Sequence, residues 1–393
     1  MNVIEKILYY SDSYNALKRK VKIEGNKLQI GNDVIITRNP LLISVGKSAV
    51  KMAKFFIENL NVNKGIIIPP LGSPIENVPL EVFPSTHPDI TERSIEAGKR
   101  VIEVLKSEDY DLLLFLISGG ASALLEYSDV PLDVLKEVNK KLVTSGLSID
   151  EINVVRKHLS LIKGGWLAQY SKSPILTLVV SDVPGGDLST VGSGPTLLDR
   201  STRQEAENIL RMIGLDKYVE YLKETPKDIK VKTFTYKILD VEEVLLELKR
   251  ELNGEIISSE VRGDAFSFGV QLAGIANTLS RLGEKKTLLF GGEPEVKISG
   301  KYGKGGRNGE VCLGFLKYVR SNSVLYAIAT DGIDGNSEYA GCVVESSLKI
   351  ESIEIDNAVR THSSYELLEK YGVTVKTGYT GDNVNNVYLL EIV

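Results

Sequence analysis

Short apolar runs alternate along the chain with stretches whose apolar residues recur every three to four positions. That is the pattern of buried strands joined by crossover helices. Residues 41–45 read as a strand and 48–60 as a helix; 65–68 is a second strand, halted by Pro69 and Pro70. An amphipathic helix over 91–106 precedes the clearest strand, 111–117 (DLLLFLI). Helices over 131–144 and 151–170 lead to a strand at 175–180, which runs into a loop rich in Gly, Asp and Pro. Helical segments at 201–212 and 217–222 follow, and the polar stretch 224–230 reads as a boundary. A second alternation then begins, with strands at 231–239, 255–259, 286–290, 295–299 and 323–329. Helices at 241–251, 264–282 and 308–319 lie between them, then helices near 356–371 and a last strand at 387–393. No internal repeat and no low-complexity segment interrupts this order.

A chain of 393 residues exceeds the size at which one core usually keeps growing, so two domains are expected. The expectation is an α/β protein with domains at 1–228 and 229–383, the last strand, 384–393, being free to return to the first. Composition is ordinary for a globular protein, at 42% hydrophobic and 25% charged. A net charge of -5 and scattered lysines offer no basic stripe for nucleic acid. Cys312 and Cys342 are too few for a disulfide framework or a four-ligand zinc site, and His87, His158 and His362 share no metal-ligand spacing. No signal peptide or membrane-length apolar run is present, so a cytoplasmic protein with no membrane partner is expected. Richness in Lys, Glu and Ile with few Gln, Cys and Met points to a thermophilic source.

The candidate chemistry lies where strands end. Gly46-Lys47-Ser48 suggests a P-loop, but the earlier glycine that motif needs would fall on Leu41. A lysine at a strand-to-helix junction can still reach an anion. Ser118-Gly119-Gly120-Ala121-Ser122 follows the strongest strand; its two glycines allow close backbone approach, with amides and hydroxyls facing a ligand. It is not a hydrolase elbow, since Leu124 stands where glycine is required. The loop from Ser181 carries Asp182, Gly185, Gly186 and Asp187, two carboxylates suited to a hard cation. In the helical segment after 151, Asn153 and Lys157 share one face and Arg156 and Ser160 another; one face is expected to meet an anionic substrate, the other solvent. Arg307 follows two glycines at a helix start, and Asp331 follows an apolar strand. Thr377, Thr380 and Asn383 lie in a loop of small donors before the final strand. Such loops at the strand ends of both domains suggest a cleft for a phosphorylated ligand.

Taken in order, GKSAVKMA (46–53), LISGGASALL (116–125), INVVRKHLSLIKGGWLA (152–168), SDVPGGDLSTVGSGPT (181–196), GGRNGE (305–310), ATDGIDG (329–335) and TGYTGDNVNN (377–386) resemble the glycerate 2-kinase family, whose C-terminal segment is the MOFRL domain. The resemblance implies a Rossmann-like three-layer larger domain, a smaller α/β domain and a cleft between them. It implies ATP-dependent phosphorylation of D-glycerate to 2-phosphoglycerate, with Mg²⁺ or another divalent cation. It marks Lys47 and Arg307 as active-site residues. Ala121, Trp166, Gly309 and Asp382 depart from the residues usual in that family.

Within that scheme Lys47 and Arg307 offset charge on the transferred group, and Asp182, Asp187 and Asp331 hold the metal, with Asp182 also able to take the hydroxyl proton. Ser118, Gly119, Gly120, Ser122, Gly185, Gly186, Thr377, Thr380 and Asn383 are expected at the nucleotide and its phosphates; Asn153, Arg156 or Lys157 at the glycerate carboxylate. A homodimer is compatible with the sequence. The rivals are a hydroxypyruvate reductase, for which no G-x-G-x-x-G turn is present, and a non-catalytic sugar-acid or nucleotide-binding module.

Overall fold

Strands β4 (Pro40–Val45), β7 (Leu112–Ser118) and β8 (Ile175–Val180) are buried along their whole length, as expected of parallel strands covered on both faces. The computed structural model that contains them describes every residue except Glu76 and Pro184. With β5 (Gly65–Ile68), β6 (Glu81–Val82) and β9 (Thr233–Leu239) they form a six-stranded sheet in the order β6-β5-β4-β7-β8-β9. The ladders from β6 across to β8 are parallel. The chain builds outward from β4 through β5 to β6, then crosses back to place β7 on the other side of β4. This reversal makes the carboxyl ends of β4 and β7 a topological switch point, the place where open α/β sheets bind ligands.

The chain divides into two bodies, Ser13–Ile238 and Met1–Asp12 with Leu239–Val393. The first also carries a three-stranded antiparallel sheet of β1 (Val21–Glu24), β2 (Lys27–Ile30) and β3 (Asp33–Ile36), which the apolar pattern did not single out. The second holds a mixed sheet ordered β10-β11-β15-β12-β13-β14. Its strands are β10 (Glu255–Val261), β11 (Lys286–Gly292), β12 (Ser323–Ala329), β13 (Gly341–Glu345), β14 (Thr374–Val375) and β15 (Asn386–Ile392). Its core gathers Phe290, Phe315, Tyr365 and Tyr388. Cys312 and Cys342 form one disulfide, tying the helix Arg307–Tyr318 to β13.

Four sequence expectations are corrected. The final strand does not return to the first body: β15 pairs antiparallel with both β11 and β12 at the centre of the second sheet. The polar stretch 224–230 is not a boundary, because Thr225 and Lys227 bond Asp199 in the first body and carry the chain on to β9. No strand forms at 295–299; Glu295 makes a single bridge to Asp264 after Pro294, outside the sheet. The helix expected over 151–170 stops at His158, and Gly164 and Gly165 then turn the chain with left-handed φ values of 58° and 87° into a short helix at Trp166–Gln169.

Candidate active site

At the switch point, β4 and β7 lock their following loops together. The Lys47 N–H donates to the Gly119 carbonyl at 3.0 Å, and the Ser48 N–H to Ser118 Oγ at 3.0 Å. Gly46 makes this possible: its φ is 123°, and a Cβ there would strike the Ser118 side chain and lie 2.7 Å from its carbonyl oxygen. Its glycine thus serves strand packing rather than wrapping a phosphate. Lys47 is half-buried, and no ion pair engages it among the described residues. A lysine held there without a counter-charge is suited to an anionic ligand.

Two further side chains meet the same loop. The Asp182 carboxylate, at the end of β8, lies against Gly119, where any Cβ would collide with it. His87 turns its ring edge to Gly120: a Cβ at Gly120 would stand 3.1 Å from His87 Cδ2, 3.4 Å from its Nε2 and 3.6 Å from Lys47 Cγ. Partial burial, then the Lys47 charge, hold the His87 pKa below its ordinary value, with Asp89 opposing. The sequence reading missed His87, because it weighed histidines only as a metal set. The signal was its place shortly after β6, at the carboxyl end of the same parallel sheet.

The remaining first-body residues divide. Ser122 Oγ meets Ser193 Oγ at 2.9 Å, and Ser193 donates to Asn153 Oδ1 at 2.9 Å, so Ser122 and Asn153 support the 188–193 turn. Asp187 is exposed and accepts the Ser189 N–H at 2.9 Å, which leaves its other oxygen unassigned. Gly185 and Gly186 are exposed between them; Pro184 lies outside the described residues. In the helix Ile149–His158 Asn153 and Lys157 are buried and Arg156 is half-buried, and Ser160 just beyond the helix is buried as well. Lys157 pairs with Asp199 at 3.4 Å, and Arg156 donates from Nε to Asn139 Oδ1 at 2.9 Å. Beside them a fully buried Lys163 bonds Glu126; burial lowers its pKa while Glu126 opposes the shift.

In the second body three loops meet at one edge of the mixed sheet, where β11 and β12 end and β15 begins. A Cβ on Gly335 would lie 2.6 Å from Gly306 Cα, and one on Gly332 2.8 Å from Thr377 Oγ1. The Thr380 N–H donates to the Asp331 carbonyl at 3.0 Å and its hydroxyl to the Thr330 carbonyl at 2.7 Å. Thr377 donates to Gly378 O, and Asn383 Oδ1 accepts the Asn385 N–H at 3.0 Å. Asp331 Oδ1 accepts the Ile333 N–H at 3.0 Å. Arg307 opens its helix and pairs with Glu293, the residue after β11. Burial disfavours its charge, but Glu293 and then Asp334 outweigh this and raise its pKa.

In the sequence Asp334 stood only as a second carboxylate in the strand-end string ATDGIDG, with no role of its own. It is fully buried, and its Oδ2 accepts from Tyr365 Oη at 2.5 Å, from the Asn308 N–H at 2.8 Å and from the Gly309 N–H at 3.2 Å. Burial raises its pKa to about 6 despite those bonds. Among the described residues, no three His, Cys, Asp or Glu side chains gather as a ready-made metal site. Among the described residues, no helix is long and apolar enough to cross a membrane.

The MOFRL family profile matches residues 286–386, and a domain of unknown function (DUF4147) matches 1–224. A glycerate 2-kinase of Sulfurisphaera tokodaii is 58% identical, with 99% of each chain covered. The chain belongs to the glycerate 2-kinase family. The crystal structure of a glycerate kinase from Thermotoga maritima superposes with a TM-score of 0.86 at 30% identity, covering 99% of this chain and 97% of that one. A putative hydroxypyruvate reductase of Agrobacterium vitis is also similar, at 33% identity over 84% of this chain and 81% of its own. As in other members of the glycerate 2-kinase family, a parallel-sheet body is joined here to a mixed-sheet body.

Proposed function

We propose that the protein transfers the γ-phosphoryl group of ATP to the 2-hydroxyl of D-glycerate, giving 2-phosphoglycerate and ADP. The observation that carries this reading is the packing of Lys47, Gly119 and Asp182 at the β4/β7 switch point: a cation without a counter-charge, bare backbone and a carboxylate around one loop. Phosphoryl transfer asks for positioning and charge stabilisation more than covalent chemistry, and these are the groups that supply it. The full-length likeness to the Sulfurisphaera tokodaii glycerate 2-kinase supports the choice of substrate.

Lys47 is assigned to the charge on the transferred group, and Arg307 is kept as the second active-site residue that the family resemblance marks. The amides of Ser118, Gly119 and Gly120, and the exposed Gly185 and Gly186, are assigned to phosphate oxygens; the loop bearing Thr377, Thr380 and Asn383 is assigned to the nucleotide. A hard divalent cation commonly uses one or two carboxylates and takes its other ligands from phosphates and water. Asp182, held against bare Gly119, fits one such ligand, with Asp187 and Asp331 as further candidates. When bound, the cation would neutralise phosphate charge. Lys157 already has a buried partner, so Arg156 is the better placed of the two to meet the acid end of the acceptor.

The Agrobacterium vitis relative keeps an oxidoreductase reading open to direct trial. Incubation with ATP, Mg²⁺ and D-glycerate should release ADP, with phosphorus NMR showing a 2-phosphate. Oxidation of NADH by hydroxypyruvate, with no ADP formed, would replace the kinase reading.

A further inference from the structure

We propose that His87 accepts the proton of the acceptor hydroxyl, leaving Asp182 to the divalent cation. The inference rests on the kinase reading. Its basis is geometric. The Cδ2–Nε2 edge of the ring faces Gly120, beside the Lys47 stem, while Asp182 lies on the neighbouring Gly119. Imidazole, ammonium and carboxylate thus surround two consecutive residues that have no side chains of their own. Among the described residues neither ring nitrogen of His87 has a hydrogen-bond partner, and the ring keeps contact with solvent. His87 is exposed, so its ring nitrogens are open to solvent and ligand, whereas the buried His158 bonds the Val154 carbonyl at 2.7 Å.

Division of labour follows from ligand chemistry. A hard cation competes for any carboxylate near the phosphates, and a carboxylate bound to it is a poor proton acceptor. A neutral imidazole is a poor ligand for Mg²⁺ and stays available. The depressed pKa of His87 keeps that neutral form dominant at neutral pH. In the step itself, the hydroxyl proton moves to His87 Nε2 as the hydroxyl oxygen bonds the γ-phosphorus. The bond from that phosphorus to the bridging oxygen breaks, and its electron pair leaves with ADP. The imidazolium then returns its proton to water.

The test compares native enzyme with His87→Gln and His87→Asn, following ADP release with ATP, Mg²⁺ and D-glycerate from about pH 5 to 8. Thermal unfolding controls for the fold. The expected result is a fall in kcat/KM for glycerate of about 10²–10³-fold, with KM for ATP changed by less than about twofold. The native rate should decline at acid pH, below the ordinary imidazole value, and both variants should lack that decline. Variants within about threefold of native, or slower variants that keep the acid decline, overturn the assignment to His87. A native enzyme that releases no ADP overturns the kinase reading, and this inference with it.

Discussion

Asp334 Oδ2 receives the Asn308 N–H at 2.8 Å, so a buried carboxylate from one loop fixes the first turn of the helix that Arg307 opens. Gly306 is pressed against the same carboxyl, and Tyr365 donates to it from the helix Ser364–Lys370. Replacing Asp334 with Ala would strand two backbone donors and a phenol in the interior. We expect a loss of about 3–5 kcal/mol in denaturant unfolding, at about 1–3 kcal/mol per unsatisfied group. Asp334→Asn, which keeps an acceptor oxygen, should lose less.

The same carboxyl should leave a mark on the pH dependence of stability. Its folded pKa of about 6 lies above the ordinary carboxyl value of 3.8, so the folded state holds a proton that the unfolded chain releases. Stability from this group is therefore full below about pH 4 and declines as pH rises to about 6, by roughly 3 kcal/mol. Unfolding free energies measured across that window should show native protein losing this increment and Asp334→Asn not. Parallel curves would refute it.

Two glycines a few ångströms apart should respond differently to alanine. Gly46→Ala needs a Cβ at φ 123° against Ser118 backbone, which cannot move without parting β4 from β7. A cost above about 2 kcal/mol is expected, checked by thermal unfolding. Gly119→Ala meets only the end of the Asp182 side chain, which can rotate away. Stability should change by under about 1 kcal/mol while turnover falls at least about tenfold, because the carboxylate no longer lies where the loop held it.

Lys47→Ala and Arg307→Ala should each lower kcat by about 10²–10³-fold, the usual effect of removing one charged donor from a developing anion. Lys47 is half-buried with no ion pair among the described residues, and Arg307 has the partly exposed Glu293 as partner. Neither change should alter the unfolding free energy by more than about 1 kcal/mol. Near-native turnover in either variant would remove that residue from the site.

Much of this architecture could be read from hydrophobic pattern. DLLLFLI and the apolar runs at 41–45 and 175–180 became β7, β4 and β8, because a strand buried on both faces leaves an unbroken apolar signal. Strands with one wet face were harder: β1 to β3 mix lysine and glutamate with isoleucine and passed as irregular. Lys47, Gly119 and Asp182 were visible as loop residues after strong strands. His87 was not, and Asp334 was seen only as one carboxylate of a strand-end string, since their importance lies in what faces them, and Gly120 and Asn308 are far from them in sequence. Nor could the string show that Lys157 pairs with the buried Asp199, a partner 42 positions away.

The central place of β15 bears on how the chain is made. A ribosome delivers residues 13–238 as one continuous stretch, and that body can fold while synthesis goes on. The second sheet cannot: β11 has only β10 beside it, and β12 only β13, until Asn386–Ile392 emerges and inserts between them. Until then, two apolar strand edges wait unpaired, and any pause or truncation upstream of Asn386 exposes them to aggregation.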